Sequence, residues 1–288
     1  NYIDYYLIHN IATLEAWQKA CALGLEKWIA EKKANGQIKQ IGFSFHGPQA
    51  EFFAVLDAYD WDFCQIQYNY MNENYQAGRE GLLRAHEKGL MVVIMEPLLG
   101  GKLAVGLPKK IEAFFKKEGE GLSPAAWALR WLWNQKEMTL LLSGMNSMEQ
   151  MNENIQTAEN AVPGMMTEKD LAIIKQVEAI FNESNKVPCT GCNYCMPCPY
   201  GVNIPGCFAG YNASYASGFV AGITQYMTST NALNIEKNAS ARNCKKCGKC
   251  EKQCPQHIEI IKSLESVSKR MEPLWIRLGI KLAARFMK

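Results

Sequence analysis

Nine of the 11 cysteines in this chain of 288 residues fall between Cys189 and Cys254, and their spacing is chemically specific. Eight of them form two runs: Cys189-Thr-Gly-Cys192-Asn-Tyr-Cys195-Met-Pro-Cys198 and Cys244-Lys-Lys-Cys247-Gly-Lys-Cys250-Glu-Lys-Gln-Cys254. Three thiolates at successive spacings of three let one short loop wrap a face of an iron-sulfur cubane, and a distant fourth thiolate completes the site. A zinc ion usually takes two separated C-x2-C pairs, so overlapping triplets fit zinc poorly. Disulfides are the remaining alternative, and a reducing cytosol disfavours them.

The two cysteine runs form an internal repeat. The second run has the C-x2-C-x2-C-x3-C-P spacing of bacterial two-cluster ferredoxins, and the first differs from it by one residue before its last cysteine. This resemblance implies two 4Fe–4S clusters with crossed ligation, in which the fourth cysteine of each run binds the cluster of the other. The implied ligand sets are Cys189, Cys192, Cys195 and Cys254 for one cluster, and Cys244, Cys247, Cys250 and Cys198 for the other. Cys207 belongs to neither set and is predicted to be a small buried side chain.

The remaining composition is that of an ordinary folded protein. With 48% hydrophobic and 20% charged residues, the chain is neither disordered, collagen-like nor a coiled coil. Its formal net charge of +3 is scattered and gives no argument for a nucleic-acid partner. No apolar run approaches the roughly 18 residues of a transmembrane segment, and no secretory signal is recognisable. We therefore expect a cytoplasmic protein.

The elements that must position these residues alternate between strands and helices in the first part of the chain. Strands are predicted at Ile3–Ile8, Ile38–Ser44, Asp62–Tyr68, Leu90–Glu96 and Thr139–Ser143. Helices are predicted at Thr13–Lys33, Pro48–Tyr59, Gly78–Lys88, Lys110–Lys117, Ser123–Gln135 and Thr167–Phe181. Such alternation predicts a parallel sheet with helices outside it, in either a barrel or an open doubly wound sheet.

Two observations favour the barrel. No G-x-G-x-x-G follows the first strand, so the marker of a dinucleotide-binding doubly wound sheet is absent. Five βα units in about 155 residues give roughly 31 residues per unit, which matches a (β/α)8 barrel. The count predicts five-eighths of a barrel, with about three units, or roughly 90 residues, absent from its front. Because such a piece exposes two sheet edges and part of its core, we expect it to be unstable or to aggregate alone.

The predicted organisation has three parts. Residues 1–187 form the barrel portion, and residues 188–270 form a small, mainly α-helical, ferredoxin-like domain with two 4Fe–4S clusters. Residues 271–288 form an amphipathic helix, because Met271, Trp275 and Leu278 begin an apolar stripe along it.

Five short strings in the first part, in this order, resemble the aldo-keto reductase family. They are Tyr2-Ile-Asp-Tyr-Tyr-Leu-Ile-His9, Ile41-Gly-Phe-Ser44, Gln65-Ile-Gln-Tyr68, Met95-Glu-Pro-Leu-Leu-Gly-Gly101, and Ser143-Gly144 followed by Gln150 and Asn154. With the cysteine module included, the chain looks like the branch of this family that carries a C-terminal two-cluster domain. The resemblance implies an α/β fold with strands 4 to 8 of a (β/α)8 barrel, and NADP(H) or NAD(H) bound across its C-terminal mouth.

The resemblance also implies roles for individual residues. His9 matches the histidine that orients or polarises the substrate carbonyl, and it is the one catalytic residue predicted. Ser44 and Gln65 match residues that hydrogen-bond the nicotinamide carboxamide, and Met95 takes the position that stacks on the nicotinamide. The pyrophosphate loop is matched by Pro97, Leu98 and Gly100. The phosphate and adenine end is matched by Gly144, Ser147, Gln150 and Asn154.

Departures from the family pattern bear on activity. The family commonly has Asn after the position of Ser44, where this chain has Phe45 and His46, and Met95 with Glu96 replaces a frequent aromatic residue. The Asp, Tyr and Lys that complete the family's catalytic tetrad belong to earlier strands and are not in this chain. We therefore expect an NAD(P)H-dependent oxidoreductase that couples hydride and one-electron transfer, but no carbonyl reduction by this chain alone.

The partner predicted is a small carbonyl substrate or a one-electron redox protein. The alternative function is an iron-sulfur electron-transfer protein whose barrel is a docking scaffold for a redox partner. A zinc-bound interaction module is a third, weaker alternative.

Overall fold

The computed structural model describes residues 1–232, 234 and 238–277. Its contacts separate two compact units. The first comprises Asn1–Val105 and Gly121–Ile174, and the second comprises Gly106–Glu120 and the chain from Lys175 onward. The predicted boundary after residue 187 thus lies 13 residues beyond this division after Ile174 and lacks the inserted segment Gly106–Glu120, and it stays a prediction.

The first unit is built on a parallel sheet of five strands in the order of the chain. The strands are β1 (Ile3–Ile8), β2 (Ile38–Phe45), β3 (Phe63–Gln67), β4 (Met91–Met95) and β5 (Leu140–Leu141). Every neighbouring pair is parallel. A doubly wound sheet reverses its strand order at a switch point, whereas a barrel adds each strand beside the last. The uninterrupted order therefore makes this unit a partial (β/α)8 barrel, as predicted.

Twelve α-helices accompany the strands within the described residues. They are α1 (Leu14–Ala22), α2 (Leu25–Ala34), α3 (Gln49–Asp57), α4 (Gly78–Glu87), α5 (Lys109–Glu118), α6 (Pro124–Trp133), α7 (Met148–Glu159), α8 (Glu168–Ser184), α9 (Ile204–Ala216), α10 (Phe219–Thr230), α11 (Lys249–Lys252) and α12 (Ile260–Met271). A short 3₁₀ helix covers Ala241–Asn243.

The single helix predicted over Thr13–Lys33 is wrong, because α1 and α2 are separate. Gly24 stands between them at φ 97°, in the left-handed region, and its N–H donates to the carbonyl of Cys21. Glycine adopts this conformation without the steric cost of a Cβ, so it ends one helix and starts another. The apolar pattern on both sides hid this break.

Side chains of the sheet alternate between two faces. On the outer face, Phe43 and Phe45 pack against Phe52 of α3, with ring centroids 5.9 and 5.1 Å apart. On the inner face lie the alternate residues of each strand, among them Ser44 and Gln65, which are register partners. The core of this unit therefore sits between the sheet and its helices, and the strand ends carry the polar side chains on the opposite face.

The second unit is helical around its cysteine runs. The Gly- and Ala-rich stretch that separates the runs forms the end of α9 and the start of α10, which pack closely together. A Cβ added to Gly222 would lie 2.4 Å from the Cα of Ser214, so only glycine allows this approach. α12 packs against α9, and a buried core that includes Phe208, Leu264 and Val267 lies between these helices.

No helix among the described residues is both long and apolar enough to cross a membrane. The predicted amphipathic helix over 271–288 falls outside the described residues from 278 onward. In the described part, α12 ends at Met271.

Candidate cluster and cofactor sites

The two cysteine runs share a backbone conformation that their spacing alone does not show. Gly191 and Lys246, each two residues after the first cysteine of its run, have φ angles of 76° and 57°. Asn193 and Gly248, each following the second cysteine, have φ angles of 65° and 74°. Because L residues rarely adopt this region, the same pair of left-handed turns in both runs supports the interpretation of an internal repeat.

The repeat extends past the Cys-Pro pair of each run. Gly201 and His257, three residues after Cys198 and Cys254, are also left-handed, at φ 72° and 46°. Their N–H groups donate to the carbonyls of those cysteines at 2.9 and 3.0 Å. α9 and α12 then begin at equivalent places, so each Cys-Pro turn leads directly into one of two helices that pack together.

Four of the predicted ligands meet at one cavity. Cys189, Cys192 and Cys195 line it from the first run, and Cys254 lines it from the second. Apolar side chains such as Ile204 and Phe208 form its inner wall. This is the crossed set implied for the first cluster, with 58 or more residues of chain between Cys254 and each of its three companions.

The donor set and its surroundings fit a multi-iron cluster. Burial, followed by the charges of Cys189, Cys192 and Cys254, raises the pKa of the Cys195 thiol to about 12. A bound cation removes this penalty, because thiolates are the ligating form. Among the described residues, no three of His, Cys, Asp and Glu stand close enough to hold one metal ion. A cubane spreads its ligands over several irons, and the overlapping spacing of Cys189, Cys192 and Cys195 fits such a cluster better than zinc.

The second predicted set is brought together in part. Cys244 follows the 3₁₀ helix, its Sγ accepts from the N–H of Lys246 at 3.4 Å, and its charge acts on Cys250. Burial raises the pKa of Cys250 to about 11. Cys198 acts electrostatically on Cys207 and packs on the same helical core as Cys244 and Cys250. That Cys198 closes this second site remains a prediction.

Behind the second run lies a buried hydrogen-bonded pair, Tyr226 and Glu272. The Tyr226 hydroxyl donates to Oε1 of Glu272 and accepts from the N–H of Ala241 at 3.0 Å, at the start of the 3₁₀ helix that precedes Cys244. Burial, followed by the charges of Cys207 and Glu272, holds the pKa of Tyr226 far above its usual value. Cys207 is fully buried beside this pair, as predicted for a structural cysteine.

In the first unit, the predicted catalytic and nicotinamide residues line up at the C-terminal ends of successive strands. His9 is exposed and follows β1, and the loop after it is fixed by Ser44, whose Oγ accepts from the N–H of Asn10 at 2.8 Å. Ser44 pairs with Gln65 across β2 and β3. The amide Nε2 of Gln65 lies 3.3 Å from Sδ of Met95 on β4. Catalytic residues of (β/α)8 barrels occupy this edge.

The residues predicted at the phosphate and adenine end lie around the β5–α7 connection: Gly144, Ser147, Gln150 and Asn154. Ser147 caps α7 by accepting from the N–H of Gln150 at 3.3 Å, and Oε1 of Gln150 accepts from the N–H of Asn146 at 3.0 Å. Nδ2 of Asn154 donates to Oγ of Ser143 at 3.0 Å. A capped helix start with free N–H groups is suited to an anion such as a phosphate.

The pyrophosphate loop predicted after β4 is a tight turn that contains Pro97, Leu98 and Gly100. Leu99, Gly100 and Gly101 are left-handed in succession, at φ 49°, 64° and 86°. A Cβ on Gly101 would meet only Val105, at 3.9 Å, so the backbone there is open to a ligand. Glycine makes both the turn and the close approach possible.

Sequence reasoning missed Gln67, two residues after Gln65 on the same face of β3. Its side chain is fully buried, and neither amide atom has a hydrogen-bond partner among the described residues. Buried amides normally have partners, so this one marks a place for a polar group that approaches the strand end. The period of two along β3 was the available signal.

Two departures from the family pattern are explained by the local packing. Phe45 points to the outer face, against Phe52, and therefore does not lie on the inner face at the C-terminal end of β2. His46 lies with Nδ1 3.2 Å from Oε1 of Gln76. Glu96 adopts a left-handed φ of 53°, and burial raises the pKa of its carboxyl.

Comparisons with known proteins agree with this architecture. Residues 1–179 match the aldo/keto reductase family, and residues 188–259 match a 4Fe-4S dicluster domain. No curated protein matches the chain.

Similar solved structures include the holo and apo forms of an aldo-keto reductase from Bacillus halodurans. They are 19% and 20% identical, each with a TM-score of 0.49, and the alignments cover 61% of this chain and 59% and 62% of those chains. An aldo-keto reductase from Klebsiella pneumoniae in complex with NADPH is 17% identical, with a TM-score of 0.48 and coverage of 62% and 59%. The chain thus spans less than two thirds of the length of each.

The family match extends over more than half of the chain, and the dicluster match contains all eight cysteines of the two runs. The uninterrupted parallel order of the five strands is the order that a (β/α)8 barrel requires. The chain belongs to the aldo/keto reductase family and carries a 4Fe-4S dicluster domain after its partial barrel.

Proposed function

We propose that this chain is part of an NAD(P)H-dependent oxidoreductase of the aldo-keto reductase type that couples hydride transfer to one-electron transfer. When bound, the nicotinamide supplies a hydride and each iron-sulfur cluster exchanges one electron, so that one hydride corresponds to one electron at each of two clusters and a released proton. The partner is a small carbonyl compound or a one-electron redox protein. Cysteines clustered as metal ligands rather than paired in disulfides suit a reducing compartment, which is the ground for placing the protein in the cytoplasm.

The observation that carries this proposal is the cavity shared by Cys189, Cys192, Cys195 and Cys254. Two distant segments converge there with four thiols and an apolar wall. A sequence motif alone does not require that convergence, whereas a cluster with crossed ligands does.

The residues of the barrel supply the contacts for a nicotinamide. Ser44 keeps its hydroxyl proton available as a donor, because its Oγ acts as acceptor toward Asn10. Gln65 and the unpartnered amide of Gln67 lie on the same face of β3. Ser147 and Gln150 fix the start of α7, where its N–H groups suit a phosphate.

The test is iron and sulfide analysis of anaerobically reconstituted protein, followed by titration with NADPH. We expect about eight irons per chain, as two cubanes require, and bleaching of the cluster absorbance on addition of NADPH. Unchanged spectra in iron-loaded protein would count against coupling.

We also propose that His9 does not suffice for carbonyl reduction by this 288-residue chain. His9 is exposed, and it is the one residue of the given sequence that is matched to a catalytic position of the family. A steady-state assay with NADPH and a panel of aldehydes should show no turnover above that of the His9→Ala variant. Turnover that depends on His9 would contradict this proposal.

A second candidate function is an electron-transfer protein that uses the barrel as a scaffold. The contact between Gln65 Nε2 and Met95 Sδ favours this second function, because the contact occupies a donor that a nicotinamide carboxamide would use. The titration separates the two functions: a scaffold holds clusters that dithionite reduces and NADPH does not.

A further inference from the structure

The second cysteine run carries a concentration of positive charge that the first run lacks. Four lysines stand between its cysteines, and they are named here the lysine collar: Lys245, Lys246, Lys249 and Lys252. From Arg242 to Lys252 there are five basic residues and one acidic residue. The net charge of this segment therefore exceeds the net charge of +3 of the entire chain. Between Cys189 and Val202 there is no charged residue.

The collar is open to solvent. All four of its lysines are exposed, and so is Cys247, the cysteine at its centre. Lys246 pairs with Glu265 at 2.5 Å. Lys245, Lys249 and Lys252 form no ion pair with any carboxylate of the described residues. Their charges are therefore available to a partner.

A groove of about 320 Å³ continues the positive surface beside Cys244. Arg242, Lys246 and Lys269 line it, and the one carboxylate there is Glu265. Acidic side chains lie instead in a neighbouring groove, where Glu251, Glu259 and Glu265 face Lys262 and His257. Basic side chains therefore predominate in the groove beside Cys244, whereas carboxylates predominate in the neighbouring groove.

Neutralisation of a bound cluster does not account for this arrangement. Both clusters carry the same negative charge, yet the loops of the first run contain no cation and are flanked by the exposed rings of Tyr194 and Tyr200. Lysine side chains that reach into water act over about 10 Å at moderate salt, which is the range at which proteins steer each other.

We infer that the lysine collar, with Cys247 at its centre, is the docking surface for a one-electron redox protein that presents acidic side chains around its own redox centre. This inference rests on the proposed function in one respect, namely that the clusters pass single electrons. Cys247 is exposed and is one of the cysteines that would hold the second cluster, so an acidic partner seated on the collar would approach that cluster.

The collar is tested by replacing the unpaired lysines. The variant Lys245→Gln, Lys249→Gln, Lys252→Gln removes three positive charges near Cys247. The matched control Lys27→Gln, Lys109→Gln, Lys116→Gln removes the same charge from exposed positions on α2 and α5, where no ion pair with a described residue is lost. Iron content and reduction potentials of both proteins are measured first.

Full-length chain with reconstituted clusters is reduced by dithionite and mixed in a stopped-flow instrument with oxidised flavodoxin, an acidic one-electron protein used as the probe. We expect the second-order rate of wild type to fall as salt rises, and the collar variant to be about tenfold slower at low salt. The two rates should converge near 1 M salt, where the Debye length is about 3 Å. The control should stay within a factor of about two of wild type.

Three results would overturn the inference. One is equal rates for the collar variant and the control. Another is an equal slowing toward flavodoxin and toward basic cytochrome c, which would place the effect on the cluster potential. The third is unchanged electron transfer together with collar-dependent binding to phosphatidylglycerol vesicles, which would make the surface a lipid site. Because dithionite supplies the electrons, absence of NADPH bleaching refutes the proposed coupling without affecting this measurement, whereas protein that binds no iron refutes both.

Discussion

At the scale of single residues, Cys254 is a predicted ligand that belongs to the second cysteine run in sequence but lies beside the first run in the structure. It ends the second run, yet it lines the cavity of the first beside Cys189, Cys192 and Cys195. The turn after it is held by the N–H of His257 donating to its carbonyl at 3.0 Å. Its side chain packs against the helical core of the second unit, so both the turn and this packing hold the thiol at the cavity.

Cys254→Ala should remove the same cluster as Cys189→Ala, because both thiols face one cavity. We expect each variant to keep about four irons, the number in one cubane. The electron paramagnetic resonance spectra of the remaining cluster should be identical in the two variants. Cys250→Ala should leave the other cluster and a different spectrum. Cys207→Ser is the control, since this buried thiol is outside both sets, and it should keep all the iron. If Cys254→Ala instead matched Cys250→Ala, ligation would not be crossed.

Glu96 gives a residue-scale prediction about pH. Burial raises the pKa of this carboxyl, so the fold favours its neutral form. Its contribution to stability is present at low pH and is lost as pH rises through the folded-state value. Glu96→Gln should therefore raise the free energy of unfolding by about 1 kcal/mol near pH 8 and leave it unchanged near pH 5.

Urea unfolding followed by tryptophan fluorescence measures this effect, because six of the seven tryptophans lie in the first unit, at or before Trp133. A loss of stability of equal size at both pH values would show that the carboxylate stabilises the fold through a bond that the amide cannot replace.

At the scale of elements, the pair α9 and α10 is the least predictable part of the chain and the part on which the cysteine runs depend. Its sequence is rich in small residues and has no clear apolar stripe, so neither helix was predicted. The structure explains the composition: Gly210 and Gly222 let the two backbones approach, with Tyr226 and Ser214 in the places where side chains at those glycines would stand. α9 then carries Phe208 and Ile204 to the wall of the first cavity.

Gly222→Ala should destabilise this helix pair by about 1–3 kcal/mol, because the new methyl group overlaps the backbone of Ser214. Thermal unfolding followed by circular dichroism measures the loss, and the first cavity should release its iron faster under chelator. Val220→Ala, on the exposed face of the same helix, is the matched control and should change neither quantity. Equal stability of Gly222→Ala and wild type would refute the close packing.

At the scale of the whole molecule, the parallel sheet has two edges and an incompletely covered inner face. Ile3 and Tyr5 on β1 are 49% and 56% exposed, and Leu140 on β5 is 48% exposed. In a closed barrel these positions face the interior, so they are apolar. Exposed apolar side chains beside unpaired strand edges promote association.

Tyr5→Lys with Leu140→Lys should reduce self-association of the 288-residue chain, because each lysine places charge on an apolar edge strand. Sedimentation velocity over a range of concentrations measures the change. Leu23→Lys with Val220→Lys makes equivalent replacements at positions 91% and 76% exposed away from the inner face. If this control reduced association as much, general charge rather than the sheet face would be responsible.

The sequence by itself determined the partial barrel and the presence of two clusters, because both follow from patterns among residues that are close together in the chain. Alternation of strands and helices fixed the parallel sheet to within one or two residues for most strands, and the spacing of Cys189, Cys192 and Cys195 fixed the kind of metal centre. Features that depend on contacts between residues far apart in the chain were decided by the tertiary structure. The unpartnered amide of Gln67 and the close pairing of α9 with α10 arise when distant segments pack, and short-range periodicity carries no information about that packing. The convergence of Cys254 on the first run also depends on distant segments: the resemblance to two-cluster ferredoxins implied it, and the tertiary structure brings the four cysteines to one cavity.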